Sequence, residues 1–350
     1  MKLKSFIVAL FSLAILVTLI SCGDDDGPSI VVQERDRTEQ QAADSDSIID
    51  YLSTHYYNSS FFETGTNHEY SDIIITELEA GEDVPAGHTL LLDAVGDPRT
   101  TTFFDVEYEY YVLNLNQGGG EAPQFTDQVS VRFEGISITT GDVFDSLASP
   151  DDLNLQGNLF TTVGTIKGWQ LVIPTFNTAT DFSIDNGFVN YNNYGLGVMF
   201  LPSGLGFYSG TNTGTSYDNL VFKFELLRFE EEDHDGDGIP SYVEDIDNSL
   251  EVDDDDTDED QLPNFIDADD DNDGVNTRDE LVAITYTVDT TMGEEEPVLG
   301  ANEYEVSRSE ANGIITINTV RADDTDNNGI LDYLDEGVAI NYNDEEESEG

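Results

Sequence analysis

The chain has 350 residues, 74 of them acidic and 12 basic, for a formal net charge of −62. That balance excludes a nucleic-acid binder, because a phosphate backbone needs Lys and Arg to displace its counterions, and it makes metal cations the expected partners. A length of 350 residues exceeds one ordinary domain, and 38% hydrophobic residues suffice for a core only because the acidity is concentrated from Glu230 onward.

In chain order, Lys2 and Lys4, the apolar run from Phe6 to Ile20 and the small Ser21 read as an export signal. Leu19-Ile20-Ser21-Cys22 resembles the lipobox of bacterial lipoproteins, in which the Cys is acylated and becomes the new N-terminus. Cys22 is the sole Cys, so no internal disulfide can form. Two or more acyl chains would hold the protein at a membrane, where a single chain binds only marginally. Gly23-Asp24-Asp25-Asp26 resembles the acidic tether that sends some outer-membrane lipoproteins to the cell surface. The expected location is therefore the cell envelope, as an outer-membrane lipoprotein, with periplasmic or outward orientation open. Further on, Ile48, Ile49, Tyr51 and Leu52 predict a helix over Thr38 to Tyr57, stopped by Asn58-Ser59-Ser60. Asp105 to Asn116 alternates as a strand, with Val106, Tyr108 and Tyr110 on one side before the register changes, and Gly118-Gly119-Gly120 breaks the chain.

Four strings follow in a fixed order: Val129-Ser-Val-Arg-Phe-Glu-Gly135, Gly141-Asp-Val-Phe-Asp-Ser146, Ile166-Lys-Gly-Trp169 and Leu220-Val-Phe-Lys-Phe-Glu-Leu-Leu227. Together they resemble an FKBP-type peptidyl-prolyl isomerase. The resemblance implies an α+β fold, an antiparallel half-barrel sheet around a short helix, preceded by a helical and extended N-terminal segment that packs on it. It also implies a pocket lined by Phe133, Phe144, Asp145, Ile166, Trp169, Phe207, Tyr208 and Phe222, with Trp169 as the floor and Asp145 orienting the edge. Phe133 stands where the family usually has Tyr. Pro202-Ser-Gly-Leu-Gly-Phe-Tyr208 resembles a family string whose Tyr hydroxyl holds the bound peptide's carbonyl, and either Phe207 or Tyr208 takes that position. Pro174 should end any helix begun near Trp169, since its ring lacks the donor and clashes one turn back. Asn177 to Tyr194 is a polar insertion. The chemistry is undemanding: an X-Pro bond crosses a barrier of about 18–20 kcal/mol, and an apolar pocket that removes water and favours the twisted imide lowers it with no acid, base, nucleophile or cofactor.

The acidic tail repeats a calcium-loop pattern, D-x-D-x-[DN]-G-x₅-E. Asp233, Asp235, Asp237 and Glu244 fit it, Asp269, Asp271, Asp273 and Glu280 repeat it, and Asp324, Asp326, Asn328 and Asp335 close with Asp. A degenerate copy at Asp256, Asp258, Asp260 and Asp267 lacks the Gly. Calcium takes six to eight oxygens; alternate carboxylates, the carbonyl after the Gly (Ile239, Val275 or Ile330) and a bidentate last acid supply them. The array resembles thrombospondin type 3 repeats, in which calcium replaces a hydrophobic core, and its expected role is structural.

His55, His68, His88 and His234 lack metal spacing for zinc, and Ser203 lies outside a G-x-S-x-G elbow. The expected organisation is a signal peptide over 1–22, a tether with helix and extended segment over 23–120, an FKBP-like domain over 121–230, and a mostly irregular calcium-binding tail over 231–350. The expected function is isomerisation of X-Pro bonds in exported polypeptides, with a membrane contact through Cys22. The alternative is a noncatalytic surface module that binds peptide or polysaccharide on a calcium-stiffened stalk.

Overall fold

The computed structural model describes residues 34–158 and 162–343, so the expected signal segment and Cys22 lie outside the described residues. The chain forms two units, Met1–Asp36 and Arg37–Gly350, and the described helices and strands lie in the second. Among the described residues no helix is long and apolar enough to cross a membrane.

Helix α1 (Arg37–Thr54) buries Ile48 and Leu52 on one stripe, with Gln40, Gln41 and Asp44 along its first half. It ends three residues before the expected Tyr57. His55–Tyr57 instead forms strand β1, and Tyr57 pairs with Ile75 of β2 (Ile75–Glu77) on one side and Thr89 of β3 (Thr89–Leu90) on the other. Two strand edges satisfy the backbone and suit the aromatic pair Tyr56 and Tyr57 better than one more helical turn. A short helix α2 (Leu91–Val95) buries Leu91 beside Ile48 and Leu52.

Strands β4 (Arg99–Phe103) and β5 (Val106–Asn116) form a hairpin whose turn residues, Phe104 and Asp105, have φ of 48° and 58°, the left-handed pair whose twist matches the strands it joins. The expected change of register comes late, at a bulge in the pairing with the later strand Gly195–Leu201, where Asn114 faces Gly197 and Asn116 faces Leu196. Tyr108, Tyr110 and Val112 stay on one face while Tyr111 and Leu113 take the other, and both sets are buried. A strand covered on both faces loses its polar alternation while its pleat continues up to that bulge.

The chain continues through β6 (Gln128–Ser137), β7 (Val143–Asn154), helix α3 (Lys167–Val172), the hairpin of β8 (Asp181–Asp185) and β9 (Phe188–Asn192), β10 (Gly195–Leu201) and β11 (Leu220–Glu230). Six antiparallel strands pair in the order β4-β5-β10-β11-β6-β7. Antiparallel sheets with few helices make the fold α+β. Every residue of β11 from Leu220 to Leu227 is buried. Helix α3 brings Trp169, Leu171 and Val172 to the face that carries Val129, Val131 and Phe224, while α1 and α2 cover the other. β5 pairs with β10, so the segment before residue 120 adds two strands and a covering helix to the same sheet. Pro174 acts as its chemistry requires, for α3 stops at Val172 and a single 3-10 turn, Ile173–Thr175, follows.

The tail is not irregular throughout. Strands β12 (Val282–Asp289), β13 (Glu303–Ala311) and β14 (Ile314–Arg321) form a sheet in the order β12-β14-β13, where Ile, Val and Thr alternate as in a half-buried strand. Nor are the loops without apolar support. Ile239, Leu281, Ala322 and Tyr333 make one cluster, and Val252 and Phe265 another with Phe125, which precedes β6. Lys167 at the start of α3 donates its Nζ to the Leu250 carbonyl. Gln156 Nε2 donates to both oxygens of Asp253 at 3.2 Å, so the tail is fastened to the element that carries Trp169.

Candidate functional site

Strands β6, β7 and β11, helix α3 and the loop before β11 bring five of the aromatic candidates together. The register sets Phe222 opposite Gly135 and Phe133 opposite Phe224, with Gly135 opposite Asp145 on the other side. Ring centroids lie 5.2 Å apart for Phe133 and Trp169, 5.4 Å for Trp169 and Phe222, 5.5 Å for Phe144 and Phe222 and 6.0 Å for Phe144 and Phe207, at interplanar angles of 71° to 84°. These are edge-to-face contacts, which ring quadrupoles favour. Trp169 and Phe222 are each 3% exposed and Phe133 is 7% exposed. Phe144, Ile166 and Phe207 are only half-buried and pack against them, and Asp145 is exposed on β7 beside Phe144. The result is an apolar group with a sealed indole and an accessible aromatic rim.

Gly135 makes the rim possible. A Cβ there would lie 2.7 Å from the Phe222 ring and 2.8 Å from the Phe144 ring, closer than carbon atoms approach. We expect Gly135→Ala to displace Phe144 and to destabilise the fold by about 1–3 kcal/mol, as overpacking does. Chemical denaturation checks this, and an unchanged midpoint would contradict the packing.

Tyr208 is not part of the aromatic group. Its φ is 46°, its ring meets Tyr217 edge-on at 5.0 Å, and the Arg37 guanidinium lies 4.0 Å from its centroid. Of the two residues between which the sequence did not choose, Phe207 is the one packed against Phe144. The loop that carries it is tied to α1: Ser203 donates its N–H (2.9 Å) and Oγ (2.6 Å) to Asp44, which is 2% exposed, and its N–H also to Asn219 Oδ1 (3.1 Å). Ser203 is an anchor for this loop, a role that its sequence neighbours do not reveal.

The acidic residues form a second constellation. Five loops, beginning at Asp233, Asp245, Asp256, Asp269 and Asp324, share one backbone path. The fourth residue of each has positive φ (Gly236 79°, Asn248 60°, Glu259 61°, Asn272 55°, Asn327 61°), and so does the sixth (Gly238 109°, Leu250 65°, Gln261 83°, Gly274 97°, Gly329 93°). In four of them the first Asp accepts the sixth residue's N–H at 2.9–3.0 Å. The loop at Asp245 escaped the sequence pattern because Ser249 replaces the third acid and Leu250 the Gly. A non-Gly residue in that conformation costs on the order of 1–3 kcal/mol and persists only where its surroundings fix it. Here Asp245 takes the Leu250 N–H and Lys167 takes its carbonyl.

Each of five carboxylate sets brings one oxygen per residue within 4.8 Å of the others: Asp233, Asp235 and Asp237; Asp269, Asp271 and Asp273; Asp256, Asp258 and Asp260; Asp245, Asp247 and Asp255; and Asp237, Glu244 and Asp270. The loop of Asp324, Asp326, Asn328, Ile330 and Asp335 keeps the backbone path without such convergence among the described residues. There Asn328 Nδ2 donates to Asp335 Oδ2 at 2.6 Å. The residues after the sixth position, Ile239, Val275 and Ile330, donate N–H to the side chain two before them at 2.7–2.8 Å. Glu244 is 0% and Glu280 1% exposed, and neither carboxylate has a hydrogen-bond donor among the described residues. Burial, then the neighbouring acids, pushes Asp235 up to about 9, Glu280 to about 9 and Asp270 to about 10, and holds Glu244 well above the usual carboxylate range. Carboxylates so placed keep protons or accept a cation.

A family model described as BamM C-terminal matches residues 234–298, which take in the four consecutive loops almost whole and strand β12. No curated protein matches the chain. Part of the chain is similar in structure to a peptidyl-prolyl cis-trans isomerase from Pseudomonas syringae pv. tomato, at 19% identity over 39% of this chain and 84% of that one, with a TM-score of 0.28. It is also similar to FkpA from Escherichia coli (22% identity, 37% of this chain, 51% of that one, TM-score 0.28). The N-terminal domain of FKBP42 from Arabidopsis thaliana is a third such structure (11% identity, 35% of this chain, 87% of that one, TM-score 0.27).

Proposed function

We propose that this chain is a peptidyl-prolyl isomerase of the bacterial cell envelope, acting on X-Pro bonds of exported polypeptides, anchored through acylated Cys22 and carrying a calcium-organised tail. The observation that carries the reading is the aromatic group in which half-buried Phe144, Ile166 and Phe207 stand on buried Trp169, Phe133 and Phe222. A prolyl ring seated on that rim loses water from its imide, and the twisted state, with its resonance lost, suffers least from leaving water. No proton has to move. Calcium would be held by the carboxylates of the four consecutive loops, where it neutralises charge and takes no step in the rotation.

The group has Phe at both positions where the resemblance leads one to look for Tyr, buried Phe133 and half-buried Phe207. Catalysis in this reading comes from desolvation and shape, without a hydroxyl on the peptide carbonyl. The test is cis/trans exchange of a Pro peptide measured by NMR with the soluble chain from Gly23. Phe144→Ala should lower the rate severalfold. Phe207→Tyr, which adds a donor beside Phe144, should raise it by about fivefold, the worth of one net hydrogen bond of about 1 kcal/mol. Acceleration by neither the wild type nor Phe207→Tyr, with the peptide still bound, would overturn the enzymatic reading and leave a binding module.

A further inference from the structure

We propose that Asp270, a residue of the loop at Asp269, is a ligand of the cation held by the loop at Asp233, so that one ion joins the two loops. This rests on the calcium reading above and deepens it, from separate loops to a cross-linked pair.

In the repeat pattern Asp270 is the second residue of its loop, a position that faces away from that loop's own carboxylates. Its side chain points elsewhere: one oxygen lies within 4.8 Å of ligand oxygens of both Asp237 and Glu244. Asp270 is 1% and Glu244 0% exposed. All four of their carboxylate oxygens are buried with no hydrogen-bond donor among the described residues, as is Oδ2 of Asp235 and of Asp237. Two carboxylates enclosed side by side carry a penalty of several kcal/mol each unless a counter-charge sits between them, and their oxygens converge on one place.

The loop also lacks a donor that Asp270 can replace. In the calcium-loop pattern the ninth position contributes a ligand, often through water. Here the ninth side chain is used inside the loop: Ser241 Oγ accepts the His234 N–H (3.1 Å), Thr277 Oγ1 the Asp270 N–H (3.3 Å), Asn264 Oδ1 the Thr257 N–H (2.9 Å) and Asp332 Oδ1 the Thr325 N–H (2.9 Å). With Asp233, Asp235, Asp237, the Ile239 carbonyl and both oxygens of Glu244, one Asp270 oxygen brings the set to about seven, within the six to eight that calcium takes. The bond from Asp270 N–H to Thr277 also fixes the backbone from which the carboxylate projects.

Calorimetric titration of calcium chloride into the soluble chain from Gly23 tests this with four proteins: wild type, Asp270→Asn, Glu244→Gln and the double variant. A retained melting transition of the six-stranded sheet reports that it is folded in each. Asp270→Asn should weaken one wild-type site about tenfold, Glu244→Gln should weaken that same site, and the double variant should weaken it further while every other site keeps its wild-type affinity. Weakening of two separate sites in the double variant would place Asp270 on a different ion, and wild-type binding by Asp270→Asn would remove it from any, each overturning the inference while calcium binding stands. No calcium uptake by the wild type would instead end the calcium reading itself.

Discussion

Chelating calcium from the soluble chain should unfold the loops between Asp233 and Glu280 while the six-stranded sheet keeps its own melting transition. The apolar clusters that flank these loops are small, Ile239, Leu281, Ala322 and Tyr333 on one side and Val252, Phe265 and Phe125 on the other. Each large side chain buried there contributes about 1.5–3 kcal/mol, and against it stand the enclosed carboxylates of Glu244, Asp270 and Glu280, whose desolvation costs several kcal/mol apiece. In the proposed reading cations reverse that balance: at free calcium a hundred times the dissociation constant, each site would stabilise the folded loops by about 2.7 kcal/mol. Limited proteolysis with and without chelator should show new cuts between 233 and 280 and none in β5 or β11. Since Lys167 and Gln156 tie the loop at Asp245 to α3, the fluorescence of the chain's single Trp, Trp169, should shift as the metal leaves. Identical cleavage in both conditions would show that these loops fold without cations.

What the sequence disclosed follows from how local each signal is. The strings around Phe133, Phe144, Trp169 and Phe222 are short and ordered, and the rings they carry do meet. The choice between Phe207 and Tyr208 was not local: it depends on Arg37 and Tyr217 drawing Tyr208 aside. The extent of the sheet was hidden for a similar reason. β5 reads as an isolated strand, and nothing in residues 106–116 says that β10 will pair with it across 80 residues of chain. Gly marks the sharp turn of a calcium loop, so the loop at Asp245, with Leu250 in that conformation, gave no signal. Its only trace was the spacing, since Asp245 directly follows Glu244, the last acid of the loop before it. The third sheet was legible in the Ile, Val and Thr alternation of β12 and β14 and was obscured by the charge around it.

Arg132→Ala should destabilise the sheet by about 3–5 kcal/mol, the usual cost of stranding one member of a buried ion pair. Glu225 on β11 is 0% exposed and faces Arg132 on β6, with Nε to Oε2 at 3.3 Å, and it accepts the Tyr70 N–H at 2.8 Å. It therefore joins the N-terminal segment to the face of the sheet opposite Trp169. Burial raises its carboxyl to about 7, against the pull of the Tyr70 N–H and of Arg132. The unfolded value is about 4.3, so the folded state binds the extra proton. The stability this group contributes is whole below about pH 4 and is lost as pH climbs through about 7. Without Arg132 the carboxyl is held higher still, the window extends upward, and the penalty should be largest near pH 8 and much smaller near pH 5. Adding Glu225→Gln removes the stranded charge and should recover most of the loss at pH 8. Urea midpoints at the two pH values decide the matter, and an equal penalty at both would mean that Arg132 acts through packing and not through Glu225. If the proposed reading holds, the exchange rate on a Pro peptide per folded molecule should stay at the wild-type value throughout, because Glu225 and Arg132 belong to the face of the sheet opposite Trp169.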